Sequence, residues 1–582
     1  ANDRNPKLSA EYDYKHEKML RAFNTLYAEY EIIKNLKFKT TFSYDYTTVK
    51  GEKWYDPRTS NGEDENGEVV KRIREYKKMV WSNTLSYLTT FNNIHHLDFL
   101  AGYEIDDTYN DYLSGEAYNF TTPDKHAISN GMKTVSVGGS DSRYRLVSYL
   151  SRLNYDYKNK YYLGASFRVD GSSRLHRDNR WGTFWSVSGA WRTIEEEFMQ
   201  PVKDWLTDLR IRASYGVNGT LPSDYFGYMG LSSISGGYLE QPGIQMSQIA
   251  NPNLKWETNY NMNIGLDFGF WDRLNFTIEY YTRTTKNLLM DCPVSMTTGF
   301  SSYLMNIGEV KNKGIELTIN STNIKIKDFS WNTTFNLGHN SNKVVKLDGE
   351  QTQIVSGTQI HKVGSSYRTF YVQEFAGINP ETGNPLFYTN ELDENGNYIK
   401  EITENSKNAQ FIPYKHAEPT VNGGISNSLR YKWLDLNFLF SYQFGGYSYD
   451  TWAQKTEHGG YDSYANIPTY YRDSWKKPGD QTNIEVYMPG KSSSVSMHKI
   501  TSSRRIHSTD YFRLKNITFG ITLPKEWTNK INIGNVRFYA SASNLWTWAA
   551  YDNYDPEAVS AGSATQTTPP LKTVTFGLNI NF

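Results

Sequence analysis

The sequence predicts an all-β chain folded as a transmembrane antiparallel β-barrel. Three observations carry that expectation: apolar and polar residues alternate in many segments, no long apolar run exists, and short connections alternate with long ones. The alternation is plainest at the C-terminus, where Val574, Phe576, Leu578, Ile580 and Phe582 interleave with Thr573, Thr575, Gly577, Asn579 and Asn581. A strand with one face toward lipid and the other toward water has that period of two. The first set is therefore expected to face lipid, and Thr573, Thr575, Asn579 and Asn581 the lumen. A slip of one residue would exchange the two sets.

The same pattern recurs upstream. Leu36, Phe38, Thr40, Phe42, Tyr44 and Tyr46 oppose Lys37, Lys39, Thr41, Ser43 and Asp45; Tyr260 to Phe270 and Leu434 to Phe444 alternate likewise. On alternation alone a soluble sandwich competes, because a polar face toward solvent and a polar face toward a lumen look alike. Composition narrows the choice. The chain has 582 residues with 45 Tyr, 28 Phe and 15 Trp, yet its mean hydropathy is -0.65. No stretch of 18 or more apolar residues is present, which excludes helical spans and leaves barrels open, since only alternate residues of a strand meet lipid. Basic and acidic residues balance at 62 each, so bulk charge points to no nucleic acid. The lone Cys292 excludes an internal disulfide framework and a cysteine-based zinc site.

Taken in order, candidate strands fall near 19–32, 35–48, 75–90, 94–109, 144–157, 159–171, 181–194, 205–218 and 255–271. They continue near 272–286, 308–323, 327–343, 421–432, 433–447, 508–523, 533–547 and 571–582, about seventeen in all. Short links such as Ile33–Lys34, Tyr157–Lys160 and Tyr431–Trp433 alternate with long ones such as 49–74, 110–143, 218–254, 344–420 and 448–507. Short periplasmic turns and long external loops give barrels that asymmetry, and a sandwich has no reason for it. The odd count and a polar start without Met or signal peptide lead to the expectation that strands precede this segment.

Several ordered motifs then carry a family resemblance. They are YYLGASFRVDGSSR at 161–174, LRIRASYGVNG at 209–219, NPNLKWE at 251–257, NIGEVKNKGIE at 306–316 and DYFRLKNIT at 510–518. Together they resemble the SusC/RagA group of TonB-dependent outer-membrane transporters. The resemblance implies a barrel of about 22 strands preceded by a plug. Residues 1–582 would then be the C-terminal part, with the plug, about five strands and the TonB-contacting region outside this chain. It also implies import of oligosaccharides, or alternatively peptides, across the outer membrane with a SusD-like lipoprotein as partner and TonB as energy source. No cofactor is implied. A passive porin is the competing transport reading.

Candidate binding residues lie in the long loops. Loop 448–507 offers Tyr449, Trp452, His458, Tyr461, Asp462 and Tyr464, and the loops of the first strands offer Trp54 and Tyr118. Aromatic faces stack on the CH patches of sugars, and carboxylates and amides hold hydroxyls; the same residues serve equally as girdle, loop core or partner contacts. Asp393, Asn395, Asn397 and Glu404 loosely resemble a calcium loop, against which Asn395-Gly396 reads as a plain hairpin turn. No nucleophile elbow, HExxH or phosphate loop is found, so no enzyme is expected. Phe582 resembles a terminal signal for outer-membrane assembly.

Overall fold

The computed structural model describes residues 6–122, 124–238, 241–347, 352–460, 467–488, 497, 500–531, 533–564 and 567–581. Among the described residues seventeen long strands form antiparallel ladders. They are β1 (Tyr14–Ile33), β2 (Leu36–Tyr55), β3 (Glu68–Phe91), β4 (His95–Phe120), β5 (Gly131–Tyr157), β6 (Tyr161–Ser172), β7 (Trp181–Trp191) and β8 (Leu206–Thr220). The rest are β9 (Glu257–Phe270), β10 (Leu274–Lys286), β11 (Glu309–Lys325), β12 (Phe329–Lys346), β13 (Val421–Tyr431), β14 (Leu434–Phe444), β15 (Tyr511–Thr522), β16 (Asn535–Ala549) and β17 (Thr573–Asn581). Each overlaps an expected segment. No helix among the described residues is long and apolar enough to cross a membrane.

The chain divides into two compact units, residues 1–189, 215–259 and 287–306 in one and 190–214, 260–286 and 307–582 in the other. In the first, β1 to β6 form successive antiparallel ladders. Tight turns close three of the hairpins: of the three residues between β5 and β6, Lys158 and Asn159 both have positive φ (55° and 52°), the geometry that matches strand twist. The first long strands run further than their apolar alternation suggests. β3, β4 and β5 have 24, 26 and 27 residues, where a membrane crossing takes about 9–11. Segments expected as loops, 49–55, 68–74, 110–120 and 131–143, are continuations of the ladder. Cross-strand pairs hold them there, including Lys53–Glu68 (3.3 Å) and Lys71–Glu52 (2.8 Å).

In the second unit, β10 to β17 form a run of antiparallel ladders linking β10, β11, β12, β13, β14, β15, β16 and β17 in that order. Register sorts the side chains by face. Val574, Phe576, Leu578 and Ile580 pair with Ala542, Ala540, Phe538 and Val536, while Thr573, Thr575, Gly577 and Asn579 pair with Ser543, Ser541, Tyr539 and Arg537. One face is thus apolar and the other polar; Phe582 lies outside the described residues. Gly577 has a steric reason, since a Cβ there would stand 2.1 Å from the Tyr539 ring carbon Cζ.

The long connections of this unit carry cores of their own. Residues 353–356, 359–362, 369–373 and 411–416 form a four-stranded sheet. Phe370 and Val372 pack with Tyr449 and Ile506, and Phe387 packs with Ala409, Met497 and Ile500. Burying such clusters orders a long loop that would otherwise be costly to fix.

Candidate functional site

The second unit holds a cavity of ≈ 840 Å³ lined by Asp450, Trp452, Arg513, Trp548, Asp552, Tyr554 and Asp555 among others. Its floor is the end of the sheet, where Arg513 on β15 pairs with Thr547 on β16 in the polar register. Arg513 is 1% exposed. Its guanidinium donates to Asp555 at 2.5 Å and bonds Glu557, which Lys515 also contacts at 2.7 Å. Charge-assisted pairing of this kind ties the segment after β16 down onto the sheet. The Arg513 Nε–H has no acceptor among the described residues.

One wall is a short helix, Thr451–Thr456, started by Asp450. The Asp450 carboxylate accepts from the Trp452 and Ala453 amides (3.0 and 2.8 Å), which caps the helix, and from the Tyr551 hydroxyl (2.9 Å). Burial, and then the Asp450 charge, push the Tyr551 phenol upward. Behind it His507 stacks on Tyr551 with centroids 3.7 Å apart and planes at 4°. Burial pushes the His507 imidazole down to about 4, so it is neutral at pH 7. Trp452 and Trp548 stay 41% and 49% exposed, leaving indole surface at the cavity. The arrangement offers stacking faces, carboxylates and one buried cationic donor, which is binding chemistry.

The residues expected from sequence fall in several places. Trp452 lines the cavity. Tyr449 is 1% exposed inside the cluster of Phe370 and Val372, and His458 is fully buried, with Nδ1 accepting from the Gly460 amide at 3.2 Å. Tyr461, Asp462 and Tyr464 lie outside the described residues. In the first unit Trp54 is 1% exposed, edge-on to Phe120 and stacked on His126, and Tyr118 donates to Glu116 at 2.8 Å. Asp393 accepts from the amides of Asn395 and Asn397 (2.9 and 2.8 Å), closing a turn in which Gly396 has φ 80°; these bonds hold its carboxyl below the usual range. Glu404 instead accepts from Thr382 and Asn384 (2.8 and 3.0 Å). Among the described residues no His, Cys, Asp and Glu group could hold a metal ion. Sequence reading passed over Trp548, Asp552, Tyr554 and Asp555, although WTWAAYDNYDPE at 546–557 concentrates the same residue types.

Known proteins share this architecture. Residues 1–397 match the family model described as TonB dependent receptor-like, beta-barrel. TonB-dependent receptor P3 of Formosa agariphila is 32% identical over 587 residues, covering 96% of this chain and 57% of that protein. TonB-dependent receptor SusC of Bacteroides thetaiotaomicron is 29% identical over 541 residues, covering 89% of this chain and 51% of that one. The solved RagAB peptide transporter superposes with a TM-score of 0.90 at 26% identity, covering 99% of this chain and 63% of the matched chain. The chain therefore spans little more than half the length of these curated relatives. It belongs to the TonB-dependent receptors of the outer membrane, and among them to the SusC/RagA type.

Proposed function

We propose that the full-length protein imports oligosaccharides across the outer membrane, energised through TonB, with a SusD-like lipoprotein over its external mouth. The observation that carries the cargo assignment is the cavity at Arg513, where two half-exposed indoles accompany Asp552 and Asp555. Indole faces suit the CH patches of pyranose rings, and carboxylates accept sugar hydroxyls. On this reading the apolar sheet face meets lipid, the polar face lines a lumen, and N-terminal strands and a plug complete the barrel, since an open sheet edge is not tolerated in hydrocarbon.

An oligopeptide importer is the second reading, favoured by the close superposition on a protein described as a peptide transporter. Growth of a deletion strain on separate polysaccharides and on protein hydrolysate separates the two. Loss confined to one or more glycans supports the first, and loss confined to peptides replaces it with the second. Trp452→Ala in the intact transporter is then expected to raise the half-saturation concentration for that glycan about two- to tenfold, as loss of one stacking contact of about 0.5–1.5 kcal/mol would.

A further inference from the structure

We propose that cargo crosses along the polar face of β12 to β16, a neutral wall that begins at the Arg513 cavity. This rests on the import reading and names its route. Register lines the wall up in rows. Ser441 on β14 pairs with Arg513, which pairs with Thr547, at the cavity. Below it, Ser426, Leu439, Asn516 and Ser543 share one row, uncharged though Leu439 is apolar, and Ser428, Asn437, Thr518 and Ser541 the next. The following row is charged again, with Asp435 held by Arg537 at 2.6 Å. Between the Arg513 group and the Asp435–Arg537 pair, these rows contain no ionisable side chain.

The first unit differs. The polar face of β1 to β6 is laced with ion pairs, among them Arg21–Asp45 (2.6 Å), Lys78–Asp106 (2.7 Å) and Arg168–Asp170 (2.7 Å). A hydroxylated chain moving past ion pairs must strip water from fixed charges, which is expensive. Hydroxyls and carboxamides instead trade one hydrogen bond for another of similar strength. On the neutral wall they already do so among themselves, with Thr518 donating to Asn516 at 3.1 Å and Asn516 donating to Ser541 at 3.3 Å. Many weak, exchangeable contacts let cargo enter and leave, as conduction requires. The wall therefore suits an uncharged polyhydroxylated chain.

The test uses cysteine accessibility in the full-length transporter in cells, with Cys292→Ser as background. Single variants Ser428→Cys and Thr518→Cys probe the neutral wall, and Ser82→Cys on β3 probes the ion-paired face. Each is treated with a membrane-impermeant thiol reagent with TonB present and with TonB deleted, and labelling is normalised to heat-modifiable protein. The proposal expects TonB to speed labelling severalfold at 428 and 518 and to leave 82 unchanged. Acceleration at 82 alone, at all three positions, or at none overturns it. Because labelling needs no cargo, its outcome is separate from the growth test that decides between glycan and peptide.

Discussion

Replacing Phe576 by Lys examines the face assignment at a single residue. Phe576 is 80% exposed, pairs with Ala540, and is flanked on its face by Val574 and Leu578, at 61% and 52% exposure. β17 has 9 residues, roughly 30 Å of strand, which at a tilt of about 35–45° covers roughly 23 Å of an apolar band about 25 Å tall, and Phe576 is the fourth of the nine. A lysine on the lipid face costs about 2–4 kcal/mol near the midplane. Thr575→Lys, one residue away, enters the polar face opposite Ser541, where a charge keeps its water and the change stays within about 0.5 kcal/mol. The gap of about 3 kcal/mol corresponds to about a hundredfold in the folded-to-unfolded ratio. The assay is the urea midpoint of the heat-modifiable band for the full-length protein in outer-membrane vesicles. Equal shifts, or a larger loss for Thr575→Lys, would refute the assignment of faces.

Other outcomes follow from individual contacts. Gly577→Ala forces its Cβ into the Tyr539 ring and is expected to destabilise β17 by about 1–3 kcal/mol; in a Tyr539→Ala background, measured by the same urea midpoint, it becomes nearly neutral. Arg513→Ala strands Asp555 beside the sheet and leaves Glu557 to Lys515 and Tyr511, at a cost of about 3 kcal/mol, and is expected to expose 551–564 to added protease in intact cells. His507, held near 4 when folded against its ordinary 6.5, favours the folded loop fully above pH 6.5 and less as the pH falls toward 4, because the unfolded form takes up the proton first. The loss reaches about 3 kcal/mol, and His507→Phe, which keeps the stack on Tyr551, is expected to make loop protease resistance independent of pH over that window.

The strands read well from sequence wherever one face meets lipid, because burial in hydrocarbon admits only apolar residues and imposes a period of two. β14 and β17 show this plainly. In the outer parts of β3, β4 and β5 neither face is apolar, so Lys71, Arg72 and Arg74 alternate in nothing a hydropathy pattern detects, and those parts of the ladders looked like loops. The short strands inside 344–420, such as Thr369–Gln373, are enclosed by neighbours and lose the alternation for the opposite reason. The cavity was legible only in part. Trp452 announced itself as an aromatic in a long loop, while Trp548 stands at the end of β16 and Asp555 in the connection after it, and they meet Trp452 only through the tertiary pairing of Arg513.

Uptake by cells expressing the full-length transporter distinguishes TonB-driven import of oligosaccharide from passive entry. Accumulation of the neutral oligosaccharide released from whichever polysaccharide the deletion strain fails to use is compared with TonB present and absent. The account predicts saturable uptake that disappears without TonB and weakens with Trp452→Ala. Uptake that continues unchanged without TonB, or a deletion strain that loses growth on peptides alone, would contradict it.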